Sequence, residues 1–188
     1  MLTTTLFNTP MVTPLLRSLS NLILKLLGWR IEGEIPEGLD KCVIIAAPHT
    51  TNWDLPFSLM VAFSLDMQIH WMGKASLFRF PCSTLMHWLG GIPVDRSQRG
   101  QLVDTMVETF GRSEKLRILL SPEGTRGEVT QWKSGFYHIA NGAGVPIVMA
   151  FIDYRNKRAG VLDIHIPQGD YDRELIAIQE RYNTINSA

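Results

Sequence analysis

Only two cysteines, Cys42 and Cys82, occur among 188 residues. Both sit in apolar stretches, so no disulfide framework is expected and the reducing cytoplasm is the default compartment. Charge of one sign is equally scarce: 18 basic and 18 acidic residues cancel to a formal net charge of +0. With no arginine-rich tract either, nothing draws the chain as a whole to nucleic acid, and any anion site has to be local. No uncharged apolar run reaches the roughly 18 residues that a conventional spanning helix requires. The N-terminus lacks a basic region ahead of its apolar segment and an A-x-A-type cleavage signal, so a secretory leader is not expected. Also missing are G-x-S-x-G and any cysteine beside a histidine, which removes the usual protein nucleophiles. There are no internal repeats, low-complexity tracts or linkers, and a chain of this length suits one domain that buries roughly two thirds or more of its unfolded surface.

What is present is an alternation of short apolar runs with amphipathic stretches, the pattern of an α/β sheet. Cys42 to Ala47 is apolar without helical period and reads as a strand buried on both faces. Further strands are predicted over Met67–Met72, Leu116–Leu120, Val145–Phe151 and Val161–Ile166, with a possible edge strand over Trp29–Glu34. Helices are predicted over Leu55 to about Asp66, Gln98–Arg112, Phe136–Asn141 and Asp172–Ile185. Leu77 to Leu89 is apolar at nearly every helical register, broken by Pro81, and is therefore either buried or turned towards lipid. Near the N-terminus, Leu15 to Leu27 carries a wide apolar stripe of Leu15, Leu19, Leu22 and Leu26 with Leu16, Ile23 and Leu27. Such a helix either lies in a membrane interface or packs on the core.

Chemistry concentrates at two seams between strand and helix. Pro48 ends the buried strand, and His49 follows at its carboxyl end, where open α/β sheets place ligands. Asp54 stands five residues on, off the helical face of His49, so the two meet only if Thr50-Thr51-Asn52 bends. Asp54 would then accept the proton-bearing nitrogen of His49 and leave the other nitrogen free to take a proton from a substrate hydroxyl. The alternative is a helix-capping Asp54 and a solvated His49. The second seam follows Leu116–Leu120: in Glu123-Gly124-Thr125-Arg126, glycine permits close backbone approach and Arg126 offers a planar fork for phosphate or carboxylate. As an isolated tetrapeptide this is also a turn held by a Glu123–Arg126 pair. Lys74, after a predicted strand, is a phosphate ligand or a solvated turn residue, and Asp95-Arg96 reads locally as a surface ion pair.

Taken in order, four blocks resemble the glycerolipid acyltransferase family typified by lysophosphatidate acyltransferases. They are His49-x4-Asp54, Gly91-Ile92-Pro93-Val94-Asp95-Arg96, Glu123-Gly124-Thr125-Arg126 and Val145-Pro146-Ile147-Val148. The resemblance implies a single-domain α/β fold with a mixed, largely parallel sheet flanked by helices over residues 31–188. An N-terminal segment, 1–30, would hold the amphipathic helix, lying in a membrane interface or packed on the core. It further implies that His49 deprotonates an acceptor hydroxyl, which attacks the thioester carbonyl of acyl-CoA or acyl-carrier protein while Asp54 holds the imidazole. Arg126, with Arg96 and Lys74, would bind the acceptor phosphate, and Glu123, Gly124 and Thr125 would shape its pocket. No metal, cofactor or covalent acyl-enzyme is expected. The partners implied are a lysophospholipid such as 1-acyl-glycerol-3-phosphate and the cytoplasmic face of a membrane. Pro48 stands where asparagine is frequent and Ser76 where an acidic residue is frequent, which leaves a different lysolipid or an amino-acid lipid open as acceptor. Two other outcomes are a non-catalytic lipid-binding module on the same scaffold and hydrolysis of the thioester by water.

Overall fold

The computed structural model describes residues 4–49, 51, 53–95, 99–124 and 131–186. Its seven strands are β1 (Arg30–Glu32), β2 (Lys41–Ala46), β3 (His70–Lys74), β4 (Gly91–Val94), β5 (Leu116–Leu120), β6 (Ile147–Asp153) and β7 (Arg158–His165). They form one sheet in the order β1-β7-β6-β2-β5-β3-β4. Strands β2 to β6 run parallel, β7 is antiparallel to β6, and β1 is parallel to β7. The predicted mixed, largely parallel α/β sheet is therefore the observed one.

The apolar runs are continuous because both sheet faces are covered. Val43, Ile45, Ile118, Ile147 and Met149 point to one side, where they pack against Phe110 of α4 (Arg99–Arg112), Tyr137 of α5 (Gly135–Ala143) and Ile178 of α6 (Tyr171–Asn186). Cys42, Ile44, Leu119 and Val148 point to the other, against Leu59, Ala62 and Phe63 of α2 (Asp54–Ser64). The period-2 alternation of β2 thus feeds two cores at once. Pro93 falls on β4, an edge strand, where its missing N–H leaves no central ladder bond unmade.

Several elements depart from the sequence expectation. The last strand is Arg158–His165 rather than Val161–Ile166, because pairing with β6 recruits polar Arg158 to its start. The C-terminal helix is less exposed than its polarity suggests: Ile178, Tyr182, Ile185 and even Glu174 are buried. Cys82 is exposed, so only Cys42 has the apolar setting expected for both, and both thiols are free. The apolar stretch after β3 divides into a short turn, Ala75–Phe78, and α3 (Ser83–Trp88), interrupted around Pro81. Its Phe78, Met86, Trp88 and Leu89 pack on the core, whereas Leu77, Phe80 and Leu85 face solvent.

The first helix, α1 (Val12–Leu26), splits its apolar residues in the same way. Ser20 and Leu24 are buried and Leu16 is half-buried against the core beside α2, while Leu15, Leu19, Leu22 and Leu26 point outward. The core-packing reading of this helix therefore describes its inner face, and its outer face leaves a row of leucines exposed.

Candidate active site

Parallel strands bring their carboxyl ends to one rim, and that rim carries the described residues of the predicted site. Ile44 of β2, Leu119 of β5 and Trp71 of β3 lie abreast in the sheet register. Lys74 is then three residues beyond that line, Glu123 four and His49 five, on three adjacent strands. Lys74 is exposed at the end of β3, two strand spacings or about 10 Å across the sheet from β2. Val94, paired with Lys74, brings Asp95 to the same rim from β4.

After β2 the chain bends at Pro48 and re-enters as α2, whose first residue is Asp54. The bend brings the side chains together: His49 Nδ1 lies 2.6 Å from Asp54 Oδ2. The same oxygen accepts the Thr51 backbone N–H at 3.0 Å, and Asp54 Oδ1 accepts the Tyr154 hydroxyl at 2.8 Å. A carboxylate facing donors on both oxygens acts as acceptor to the imidazole, so Nδ1 carries the proton and Nε2 is the free base position. Asp54 is 10% exposed and His49 27%, so the orienting carboxylate is shielded while the imidazole keeps an open side. Asp54 is thus no helix cap: α2 is preceded by Trp53 without a side-chain cap, and the carboxylate is spent on His49.

The two sequence seams are joined directly. Glu123 Oε2 accepts the backbone N–H of His49 at 2.7 Å. Burial pushes the Glu123 carboxyl up from its ordinary value, while the hydrogen bond from the His49 amide pulls it down. Rather than only shaping a substrate pocket, this carboxylate fixes where the His49 backbone leaves the sheet. Gly124 adopts φ 65°, the left-handed region open to glycine, and a Cβ there would stand 2.5 Å from Lys133 Nζ. Lys133 is held close by its own backbone N–H, which donates to Pro122 O at 2.8 Å. Arg96, Thr125 and Arg126, the remaining predicted acceptor residues, lie outside the described residues.

Sequence reasoning missed Tyr154, Lys133 and Tyr182. Tyr154 follows β6, 100 positions from Asp54, and no local pattern marks it. The buried Tyr182 hydroxyl of α6 lies within hydrogen-bond reach of both Ile45 O, at 2.8 Å, and Ala150 O, at 3.0 Å, near the carboxyl ends of β2 and β6. A polar cavity of about 230 Å³ lined by Asp40, Gln68, His70 and Arg117 opens at the opposite, amino-end rim and takes no part in this site.

The family model described as Acyltransferase matches residues 30–152. The 1-acyl-sn-glycerol-3-phosphate acyltransferase of Haemophilus influenzae is 30% identical over 131 residues, 65% of this chain and 53% of that protein. The enzyme of the same name from Escherichia coli is 27% identical over 148 residues, 74% of this chain and 59% of that protein. The chain therefore spans just over half the length of the curated relatives it matches. In fold it is similar to the crystal structure of the 1-acyl-sn-glycerophosphate (LPA) acyltransferase PlsC from Thermotoga maritima. That likeness has a TM-score of 0.62 at 18% identity and covers 90% of this chain and 76% of that one.

Proposed function

Because this chain belongs to the Acyltransferase family, whose model covers residues 30–152, we propose that it transfers a fatty acyl group from a thioester to the hydroxyl of a lysophospholipid such as 1-acyl-glycerol-3-phosphate. The donor is acyl-CoA or acyl-carrier protein. The single observation that carries this reading is the His49–Asp54 pair, 2.6 Å apart on a rim shared with Glu123 and Lys74. His49 Nε2 takes the proton of the acceptor hydroxyl as its oxygen attacks the thioester carbonyl. The tetrahedral intermediate then collapses: the C–S bond breaks and the leaving thiolate takes the proton back from the imidazolium. No protein nucleophile, metal or bound cofactor is needed, since the thioester already supplies an activated acyl group.

A cation beside the base would pin the acceptor phosphate and make attack nearly unimolecular. Lys74 and Lys133 are proposed to serve this from the strand-end rim, and Arg126 and Arg96 to join them on the strength of the sequence motif. The acceptor's lipid character gives the outward leucines of α1 a purpose as well. Among the described residues no helix is long and apolar enough to cross a membrane, yet Leu15 is 66% and Leu26 76% exposed. The turn after β3 adds Leu77 and Phe80, the latter 95% exposed. No Asp or Glu occurs before Glu32 or from Met67 to Val94, while Arg17, Lys25, Arg30, Lys74 and Arg79 do. These two acid-free segments touch: Leu6 N–H donates to Trp88 O at 2.9 Å, and Trp88 Nε1 donates to Thr9 Oγ1 at 3.2 Å. Together they are proposed to form an apolar surface suited to the cytoplasmic side of an anionic bilayer, with Lys25, Lys74 and Arg79 as its basic residues and Arg17 paired with Asp66.

The decisive experiment is a product screen with several lysolipids, amino-acid lipids and both donor types, resolved by mass spectrometry. A phospholipid ester that disappears in His49→Ala supports the reading. Free fatty acid as the only product would make water the acceptor, and no turnover with liposome binding intact would leave a lipid-binding module.

A further inference from the structure

We infer that Tyr154 is a positioning residue that sets the angle of the Asp54 carboxylate and, through it, of the His49 ring. The inference rests on the acyl-transfer reading of the same pair. The torsion that rotates a carboxylate about its Cβ–Cγ bond is broad and has no staggered well to hold it. Its plane must therefore be fixed by partners on both oxygens. Oδ2 faces His49 Nδ1 at 2.6 Å and the Thr51 N–H at 3.0 Å. Oδ1 accepts the Tyr154 hydroxyl at 2.8 Å from outside this segment, from the residue that follows β6, the strand beside β2 in the sheet. Loss of that hydroxyl would remove a partner that anchors Oδ1 from outside the His49 loop, and the imidazole that depends on the carboxylate would be aimed less firmly.

Tyr154 is itself clamped. Its ring meets Trp29 edge-on at 5.4 Å and Phe57 edge-on at 5.5 Å, and Trp29 and Phe57 are 4.7 Å apart. Phe57 stands three residues after Asp54 in the first turns of α2, so Tyr154 grips one helix end twice, by its ring and by its hydroxyl. The turn that contains Tyr154 is also fastened, because Asp153 accepts the Asn156 backbone N–H at 3.0 Å and its side-chain amide at 2.8 Å. Burial and the nearby Asp54 carboxylate raise the phenol well above its ordinary range, which keeps the hydroxyl a donor at every working pH. Tyr154 does not reach the reacting atoms; its effect passes through Asp54.

The test is Tyr154→Phe, which removes the hydroxyl and keeps the ring. We expect kcat to fall about tenfold or more while KM for acceptor and donor changes less than about threefold, with the thermal midpoint of a folded protein retained. On an Asp54→Asn background the same change should alter kcat less than about twofold, because the residue it acts through is already gone. A second readout needs no substrate: the downfield Nδ1–H proton resonance of His49, identified by its loss in His49→Ala, should shift or broaden in Tyr154→Phe. Unchanged kcat together with an unchanged resonance would overturn the inference, as would losses that simply multiply on the Asp54→Asn background. If the wild-type chain transferred no acyl group to any acceptor, the proposed function would fall while the resonance still decided the role of Tyr154.

Discussion

The backbone N–H of His49 donates to the Glu123 carboxylate at 2.7 Å, across a sequence separation of 74. One hydrogen bond thus locks the loop that carries His49 to the turn that carries Glu123 and Gly124. Replacing Glu123 tests that bond. Glu123→Gln keeps an acceptor for the amide and should cost little stability. Glu123→Ala leaves a half-buried N–H without its partner and should cost about 1–3 kcal/mol together with activity, measured by thermal unfolding and turnover.

His49→Ala should lower acyl transfer by roughly 10²–10⁴-fold without changing the unfolding midpoint, since the ring keeps an open side and carries little of the core. Asp54→Asn should also reduce kcat and spare acceptor KM. Steady-state kinetics on one lysolipid series checks both, and turnover retained in His49→Ala would remove the imidazole from the mechanism.

Gly124→Ala should act on the acceptor. The left-handed backbone costs an alanine about 1–2 kcal/mol, and its methyl would displace Lys133 Nζ, 2.5 Å from where it would stand. Acceptor KM is expected to rise severalfold with donor KM unchanged, read from two-substrate kinetics.

Acid stability should depend on Glu174. Burial alone would raise this carboxyl, but hydrogen bonds from Tyr137, His165 and the backbone amides of Gln168 and Asp170 outweigh it and hold it at about 2. The unfolded value is about 4.3. The folded state therefore resists protonation: its stabilisation is complete above about pH 4.3 and is lost as pH falls towards about 2. Glu174→Gln should lower the unfolding midpoint at pH 7 and flatten its decline between pH 5 and pH 3, measured by circular dichroism.

Binding to vesicles should require the apolar face. Leu19→Asp with Leu22→Asp, or Phe80→Asp alone, should weaken co-sedimentation with anionic vesicles severalfold and leave secondary structure intact. Wild-type binding should fall as salt is raised, because Lys25, Lys74 and Arg79 contribute through screened charge. Binding unaffected by all three substitutions would remove α1 and the turn after β3 from the interface.

The site was legible to the extent that its chemistry lies in short blocks. His49 and Asp54 were readable because the base and its orienter are five residues apart and follow a strand whose apolar run announces burial. Glu123 was readable as part of a motif, but its bond to the His49 amide was not, since that depends on β2 and β5 being neighbours. Tyr154 carried no signal at all: its partner is on a different element and its local sequence reads as an ordinary strand end. The glycine at 124 marks a close approach in the sequence, but that Lys133 is what approaches it depends on the tertiary path of the chain.

The same distinction holds for the whole molecule. Apolar periodicity and residue type, which act between near neighbours in the chain, determined that β2 is a buried strand, that α1 is amphipathic, and that a histidine and a carboxylate stand ready at a strand end. Which face of α1 packs on the core and which leucines are left to solvent, which strands are adjacent, and which hydroxyl holds Asp54 were decided by tertiary structure alone. Those outcomes depend on groups separated by tens of residues that meet only when parallel strands bring their carboxyl ends to a common rim.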